Sequence, residues 1–333
     1  MTRVNLPYQP IRETLYTAAE LFAGFDPDER SSFSRTLDFK IYQQFVRDGG
    51  TRPINPYQGM MRALHDCTIT ESLDELTAQN KVCAIMGDHS LARDSAAYLN
   101  IARLAQKLSS HGFLVCTGGG PGAMEAAHLG AAFDAENSDN LLAAIKMLEV
   151  QPHVPELKDI VSADGTIDAE LTNLAHAWFL PAFEIYRQLD NPGKSLAVPT
   201  WLYGSEPTTP FATSIAKYFQ NSIREDGLVS VADQGIIFSQ GRAGTIQEVF
   251  QDATQNYYRT FNRVSPMVLF GRAYWTETYP IKAVLDKMFA AFPEKVVHIT
   301  DDVDEAVNFI EEFNQKKSVI GDVYFYGESR DQE

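Results

Sequence analysis

From Lys81 onward the chain alternates short unbroken apolar runs with stretches of helical period, and that alternation leaves few folds open. Val82-Cys83-Ala84-Ile85-Met86 ends in Gly87, and a helical period follows over Ser95–Leu108. Phe113-Leu114-Val115-Cys116 runs into a glycine cluster and then into a helical Ala123–Ala135. Further apolar runs stand at Ser195–Leu202, Gly235–Phe238, Pro266–Phe270 and Val296–Ile299. Helical patterns come between or after them, at Pro210–Arg224, Thr245–Tyr258, Ile281–Phe292 and Val303–Lys316. Strands that are apolar on both faces belong in a parallel sheet covered by helices on both sides. The expected fold is therefore α/β, a Rossmann-like doubly wound parallel sheet.

The first 80 residues break this rhythm. Ile11, Leu15, Ala18, Ala19 and Phe22 form one helical stripe, and Phe33, Leu37, Ile41, Phe45 and Val46 form a second that Gly49-Gly50 stops. A third candidate helix runs over Gln58–Ala78. No chemistry is visible there, so residues 1–80 read as a helical extension, a cap or dimerisation element. The nucleotide-binding catalytic domain is expected over 81–320, with a helical insertion near 150–194 centred on Leu171–Leu189. Residues 321–333 read as a tail.

Of the 333 residues, 28 are Lys or Arg and 44 are Asp or Glu, a net charge of −16. Such a surface opposes binding to a nucleic-acid polymer, which needs clustered cations, but leaves room for a small phosphate ligand in a local pocket. No apolar run approaches the roughly 18 residues of a membrane span. Met1–Pro7 has no apolar signal core, and Cys67, Cys83 and Cys116 make neither a disulfide framework nor a metal knuckle. A cytoplasmic protein without a zinc site is expected.

Two glycine loops carry the chemistry. Thr117-Gly118-Gly119-Gly120-Pro121-Gly122-Ala123-Met124-Glu125 stands where a strand should pass into a helix. At the carboxyl end of a parallel strand, glycines admit a ligand to the backbone, and the amides of the next helix attract an anion. Gln240-Gly241-Arg242-Ala243-Gly244-Thr245-Ile246-Gln247-Glu248 repeats the arrangement, and Arg242 can add a charge-assisted contact to phosphate. Thr245 and Glu248 also have the spacing of a capping box, so spacing alone leaves Glu248 between cap and catalyst, and Glu125 after Gly122 is equally open. Asn191-Pro192-Gly193-Lys194-Ser195 lacks the first glycine of a P-loop and follows a helix, so it reads as a loop entering a strand. Trp201–Ala212, with Tyr203, two prolines and several hydroxyls, suits the wall of a pocket for a planar base. Arg224, before Glu225-Asp226-Gly227, reads by spacing as a helix-ending cation.

Taken together, these segments resemble the LOG-like family of nucleoside 5′-monophosphate phosphoribohydrolases and nucleotide nucleosidases. The resemblance rests on Gly118–Glu125, which matches a GGGPGxME loop, and on Gln240–Glu248, which retains Gly241, Gly244, Thr245 and Glu248 of a PGGxGTxxE loop. It spans roughly Lys81–Ile310. Gln240 and Arg242 depart from it, standing where the family has Pro and Gly. The resemblance implies hydrolysis of the N-glycosidic bond of a nucleoside monophosphate to free base and ribose 5-phosphate. It implies Glu248 and Arg224 as catalytic residues, and Gly118, Gly119, Gly120, Gly122, Gly241, Arg242, Gly244 and Thr245 around the phosphate. Gly87, Met124, Glu125 and Tyr203 are candidates for the ribose or base pocket. A homodimer or higher homo-oligomer is expected, with Val249, Phe250, Tyr257 and Tyr258 as a contact face. That chemistry needs neither nicotinamide nor metal. A nucleotide-binding or sensing protein without catalysis is the alternative on the same fold.

Overall fold

A computed structural model describes residues 6–133, 138–201 and 206–320, with side chains to 316. Seven strands, β1 (Lys81–Met86), β2 (Phe113–Thr117), β3 (Ser195–Ala197), β4 (Ser214–Ile215), β5 (Gly235–Phe238), β6 (Met267–Phe270) and β7 (Val297–Thr300), form one sheet. Their order is β4-β3-β2-β1-β5-β6-β7, and every pairing is parallel. Alternate residues of β1 face opposite ways, as the two-residue period requires. Val82, Ala84 and Met86 enter one core, and Cys83 and Ile85 enter the other. The architecture is the expected α/β, Rossmann-like sheet with helices on both faces.

The helices are α1 (Ala18–Leu21), α2 (Leu37–Arg47), α3 (Pro56–Ala78), α4 (Ala96–Ser110), α5 (Ala123–Ala132), α6 (Ser138–Leu148), α7 (Ala169–Tyr186), α8 (Asn221–Ser230), α9 (Ala243–Tyr258), α10 (Lys282–Met288) and α11 (Val303–Ile320). Residues of α4, α5, α6 and α11 fill the core beside Cys83 and Ile85. The other face carries α8, α9 and α10 together with the N-terminal residues, among them Tyr16, Phe39, Phe45 and Ile69.

Three expectations need correction. The helix expected over Pro210–Arg224 is the two-residue strand β4 followed by α8. Residues 207–212 and 215–219 are buried without a break, which a one-faced surface helix cannot be. The Thr213 hydroxyl also accepts from Ser195 N–H and donates to Ser195 O, fastening the edge. The helix expected over Ile11–Phe22 shrinks to α1. Ile11 is 64% exposed, and Tyr16 is extended, exchanging backbone hydrogen bonds with Ile215 at 3.0 and 2.9 Å. The strand at Ser195–Leu202 ends at Ala197, shortly before Pro199, whose ring nitrogen has no proton to give.

Candidate functional site

Chain order reverses beside β1. The chain runs outward from β1 through β2 and β3 to β4, then returns to β5 on the other flank. Loops leaving β1 and β5 therefore part to opposite faces, and the crevice between them is where open parallel sheets bind ligands. The Asp88 backbone ties three loops together there. Its N–H donates to Gln240 O at 2.9 Å, and its carbonyl accepts from Ala123 N at 3.0 Å, at the start of α5. Gly122 makes this junction feasible: its φ is +65°, and a Cβ would strike the Asp88 and His89 carbonyl oxygens.

A cleft of about 710 Å³ opens over this crevice. Of the residues singled out in the sequence, it brings together Gly87, Gly118, Met124, Arg224, Arg242, Gly244, Thr245 and Glu248. Gly119, Gly120, Gly122 and Gly241 are buried behind it and shape the loops. The Gly119 N–H is spent on the Thr117 hydroxyl at 2.9 Å, and that hydroxyl is paired with His128 Nε2 at 2.7 Å. Burial keeps that imidazole neutral, its pKa pushed down to about 3. The first glycine loop is thus braced from within, and its helix gives its first amide to Asp88.

The second loop is the more open of the two. Helix α9 begins at Ala243, with Arg242 as its N-cap residue and no side chain capping it. Thr245 is therefore the third helical residue and not the cap, so the capping-box reading of Thr245 and Glu248 falls. A Cβ at Gly244 would meet nothing within 4 Å outside its own helix, and the start of this 16-residue helix lines the cleft. Arg242 lines the cleft with a largely exposed side chain, its Nε donating to Asp88 Oδ2 at 3.2 Å and its terminal nitrogen to Ser90 Oγ at 2.8 Å.

Glu248 projects into the cleft from the second turn of α9. Burial pushes its carboxyl up to about 7. Arg224 pulls it down, while Glu206 and Glu225 push it up. Arg224 does not end a helix. It stands in the first turn of α8, and its Nε donates to Val198 O at 2.8 Å. Its guanidinium lies close over Gly118, where a Cβ would force the Arg224 terminal nitrogen and the Met124 sulfur to move. Helix α8 has no side-chain cap of its own. Asp66 of α3 supplies one, accepting from Phe219 N at 3.0 Å and Gln220 N at 2.9 Å. His65 steadies Asp66 at 3.0 Å and meets the Tyr16 hydroxyl at 2.9 Å.

Glu125 does not reach the cleft. It is wholly buried, gripped by Arg93 Nε at 2.7 Å and a terminal nitrogen at 2.6 Å, with the Tyr98 hydroxyl at 3.0 Å. Tyr203 lies outside the described residues. The cleft also contains groups that the motifs did not single out: Asp88, His89, Glu206, Asn221 and Glu225, and Tyr42, Phe45, Val46 and Lys158. Asp88 and His89 carried a readable signal, as the first charged residues after an apolar strand. The three from α2 did not, because their spacing is that of an ordinary buried helix face. Among the described residues no group of three or more His, Cys, Asp or Glu side chains could hold a metal ion. No helix among them is long and apolar enough to cross a membrane.

No family model matches the chain, and no curated protein matches it. Among solved structures it is similar to the molybdenum cofactor binding protein from the phototrophic bacterium Rippkaea orientalis, at 14% identity and a TM-score of 0.40 over 71% of this chain and 98% of that one. It is likewise similar to the Moco carrier protein from Chlamydomonas reinhardtii, at 15% identity and a TM-score of 0.40 over 72% of this chain and 99% of that one.

Proposed function

We propose that this chain hydrolyses the N-glycosidic bond of a nucleoside 5′-monophosphate, giving free base and ribose 5-phosphate. The observation that carries the reading is Glu248, a carboxylate poised near neutrality in a cleft shared with Arg224 and the open start of α9. Breaking the C1′–N bond sends its electron pair to the base and leaves oxocarbenium character on the ribose. An ionised Glu248 stabilises that cation and orients a water whose oxygen bonds C1′; Glu248 accepts the water's proton and gives it up to solvent, from which the departing base nitrogen takes one. Arg224 offsets negative charge on the departing base or the phosphate. The phosphate docks on the amides of α9 with Arg242 beside it, and that remote binding fixes the sugar. Supplied with AMP and adenosine separately, the protein should release adenine from AMP and spare adenosine. Equal turnover of the two would contradict phosphate anchoring.

Arg242→Ala should weaken AMP binding by about 1.5–3 kcal/mol, the scale of a charged hydrogen bond, as read by calorimetry. The pairing of Arg242 with Asp88 and Ser90 favours a second reading, a nucleotide-binding protein that does not turn its ligand over. Unchanged or tighter binding in the variant would mark Arg242 as a solvated latch. Tight AMP binding without release of adenine would support the second reading.

We also propose a homo-oligomer. Tyr258 is 74% exposed at the end of α9, beside Tyr257 and the exposed Phe261. Val249 is wholly buried and drops out of the contact face, and Phe250 packs largely against the chain's own core. Light scattering at micromolar concentration should give at least twice the chain mass, and Tyr258→Glu should lower it. A monomer mass for the unaltered protein would refute the proposal.

A further inference from the structure

We propose that α2, from the N-terminal region, forms the wall against which the base of the ligand lies, and so sets base preference. The inference rests on the nucleotide reading above for the class of ligand. The residues lining the cleft divide by chemistry into Arg242 with the start of α9 and the carbon surfaces of Tyr42, Phe45 and Val46, of which Tyr42 and Phe45 are nearly covered and Val46 is partly buried. These three fall at i, i+3 and i+4 on one helix and so share one face. A nucleoside monophosphate has the same division, an anion at one end and a planar, weakly polar ring at the other. Aromatic and aliphatic side chains hold such a ring by stacking and by excluding water.

The wall is held rigidly, as a selective surface must be. Thr36 caps α2 by accepting from Phe39 N at 3.2 Å. Asp38 is wholly buried in a pair with Lys217, whose ammonium also donates to Thr208 at 2.6 Å. Gln43 donates to Gly165 O at 2.7 Å. The Arg62 guanidinium lies over the Phe45 ring at 4.7 Å and donates to Phe45 O at 3.3 Å. Three other parts of the chain and the helix's own N-cap thus fix α2, and Val46 at the edge of its face is only partly buried and open to substitution.

The experiment is titration calorimetry of AMP, GMP, CMP, UMP and ribose 5-phosphate against the full chain and two variants. Val46→Asp sets a charge on the wall and should weaken all four nucleotides by about 10-fold, the scale of one lost base contact, with ribose 5-phosphate unchanged within about twofold. Val46→Phe enlarges the wall without adding charge and should change the ratio of purine to pyrimidine affinity by about fivefold or more. Variants that melt like the unaltered protein and keep its nucleotide-to-ribose-phosphate ratio, and its purine-to-pyrimidine ratio, would overturn the base wall while leaving the hydrolase reading intact. An unaltered protein that binds neither nucleotide nor ribose 5-phosphate would overturn both.

Discussion

Glu248→Gln should lower turnover by about 10²–10⁴ while leaving the protein folded and able to bind AMP, the usual scale for a lost acid–base group. The size of the side chain is kept and only its charge is removed. Because Thr245 lies inside α9, Glu248 has no capping bond to lose. The stability effect has a definite sign. The folded-state pKa of Glu248 is raised to about 7 from an ordinary 4.5, so folding favours the protonated form. Its contribution is intact below about pH 4.5 and is lost as pH rises through about 7. Glutamine does not titrate, so the variant should hold its melting temperature across that window while the unaltered protein declines. Activity should move the opposite way, because the ionised carboxylate is the working form. The kcat/KM of the unaltered protein should rise with pH and level off above about 7. Full activity in a well-folded Glu248→Gln protein would remove the hydrolase reading's main residue.

Arg93→Met should be the most destabilising of the substitutions considered, at about 3–5 kcal/mol, because it strands the buried Glu125 charge. Arg93 is 1% exposed and bonds Glu125 with two nitrogens. It also donates to Gln151 O at 3.2 Å and Trp178 O at 3.0 Å, and lies over the Trp178 ring at 4.4 Å. One side chain thus ties α5 to the segment after α6 and to α7. The paired variant Arg93→Met, Glu125→Leu should recover much of the loss, since apolar groups of similar volume often replace a buried ion pair with little cost. Urea unfolding measures both. AMP affinity at a temperature where each variant is folded should stay close to that of the unaltered protein. A Glu125→Gln protein of ordinary stability with altered AMP affinity would return Glu125 to the ligand site.

What could be read from the sequence depended on whether a residue's role is local. The strands that pair at the centre of the sheet have runs apolar on both faces, so β1, β2, β5 and β6 stood within a residue or so of their expected ends. Both glycine loops were visible because a strand-to-helix junction is a local event. The pairing at the β4 edge was not. Tyr16 and Ile215 are strand-like only because each meets the other, and nothing near either residue in the chain says so. Helix α6 carries Leu141, Ala144, Ile145 and Leu148 on its buried face, a helical period readable in the chain although α6 is not among the helices expected from it. The ambiguity at Glu248 came from a spacing shared by caps and catalysts, and the observed first turn of α9 removes the cap. Glu125 looked like a ligand-site acid because its partner is 32 residues away. The contribution of α2 to the cleft was hidden for the same reason, since an apolar helical stripe says what is buried but not beside what.

The clamp from Asp66 to the start of α8 also bears on the order in which the molecule is built. Asp66 and Gln220 are 154 residues apart, and Asp38 and Lys217 are 179 apart. On a ribosome the first 80 residues emerge long before the amides and the ammonium that their carboxylates require. Contacts at such separations form late, because the loop they close must be paid for before they return anything. Helix α8 carries Arg224, so the guanidinium comes to rest over Gly118 only after the two ends of this long circuit have met. In refolding, the recovery of the proposed hydrolase activity should therefore lag behind the burial of the sheet, and slowing the closure of residues 66 and 220 should lengthen that lag.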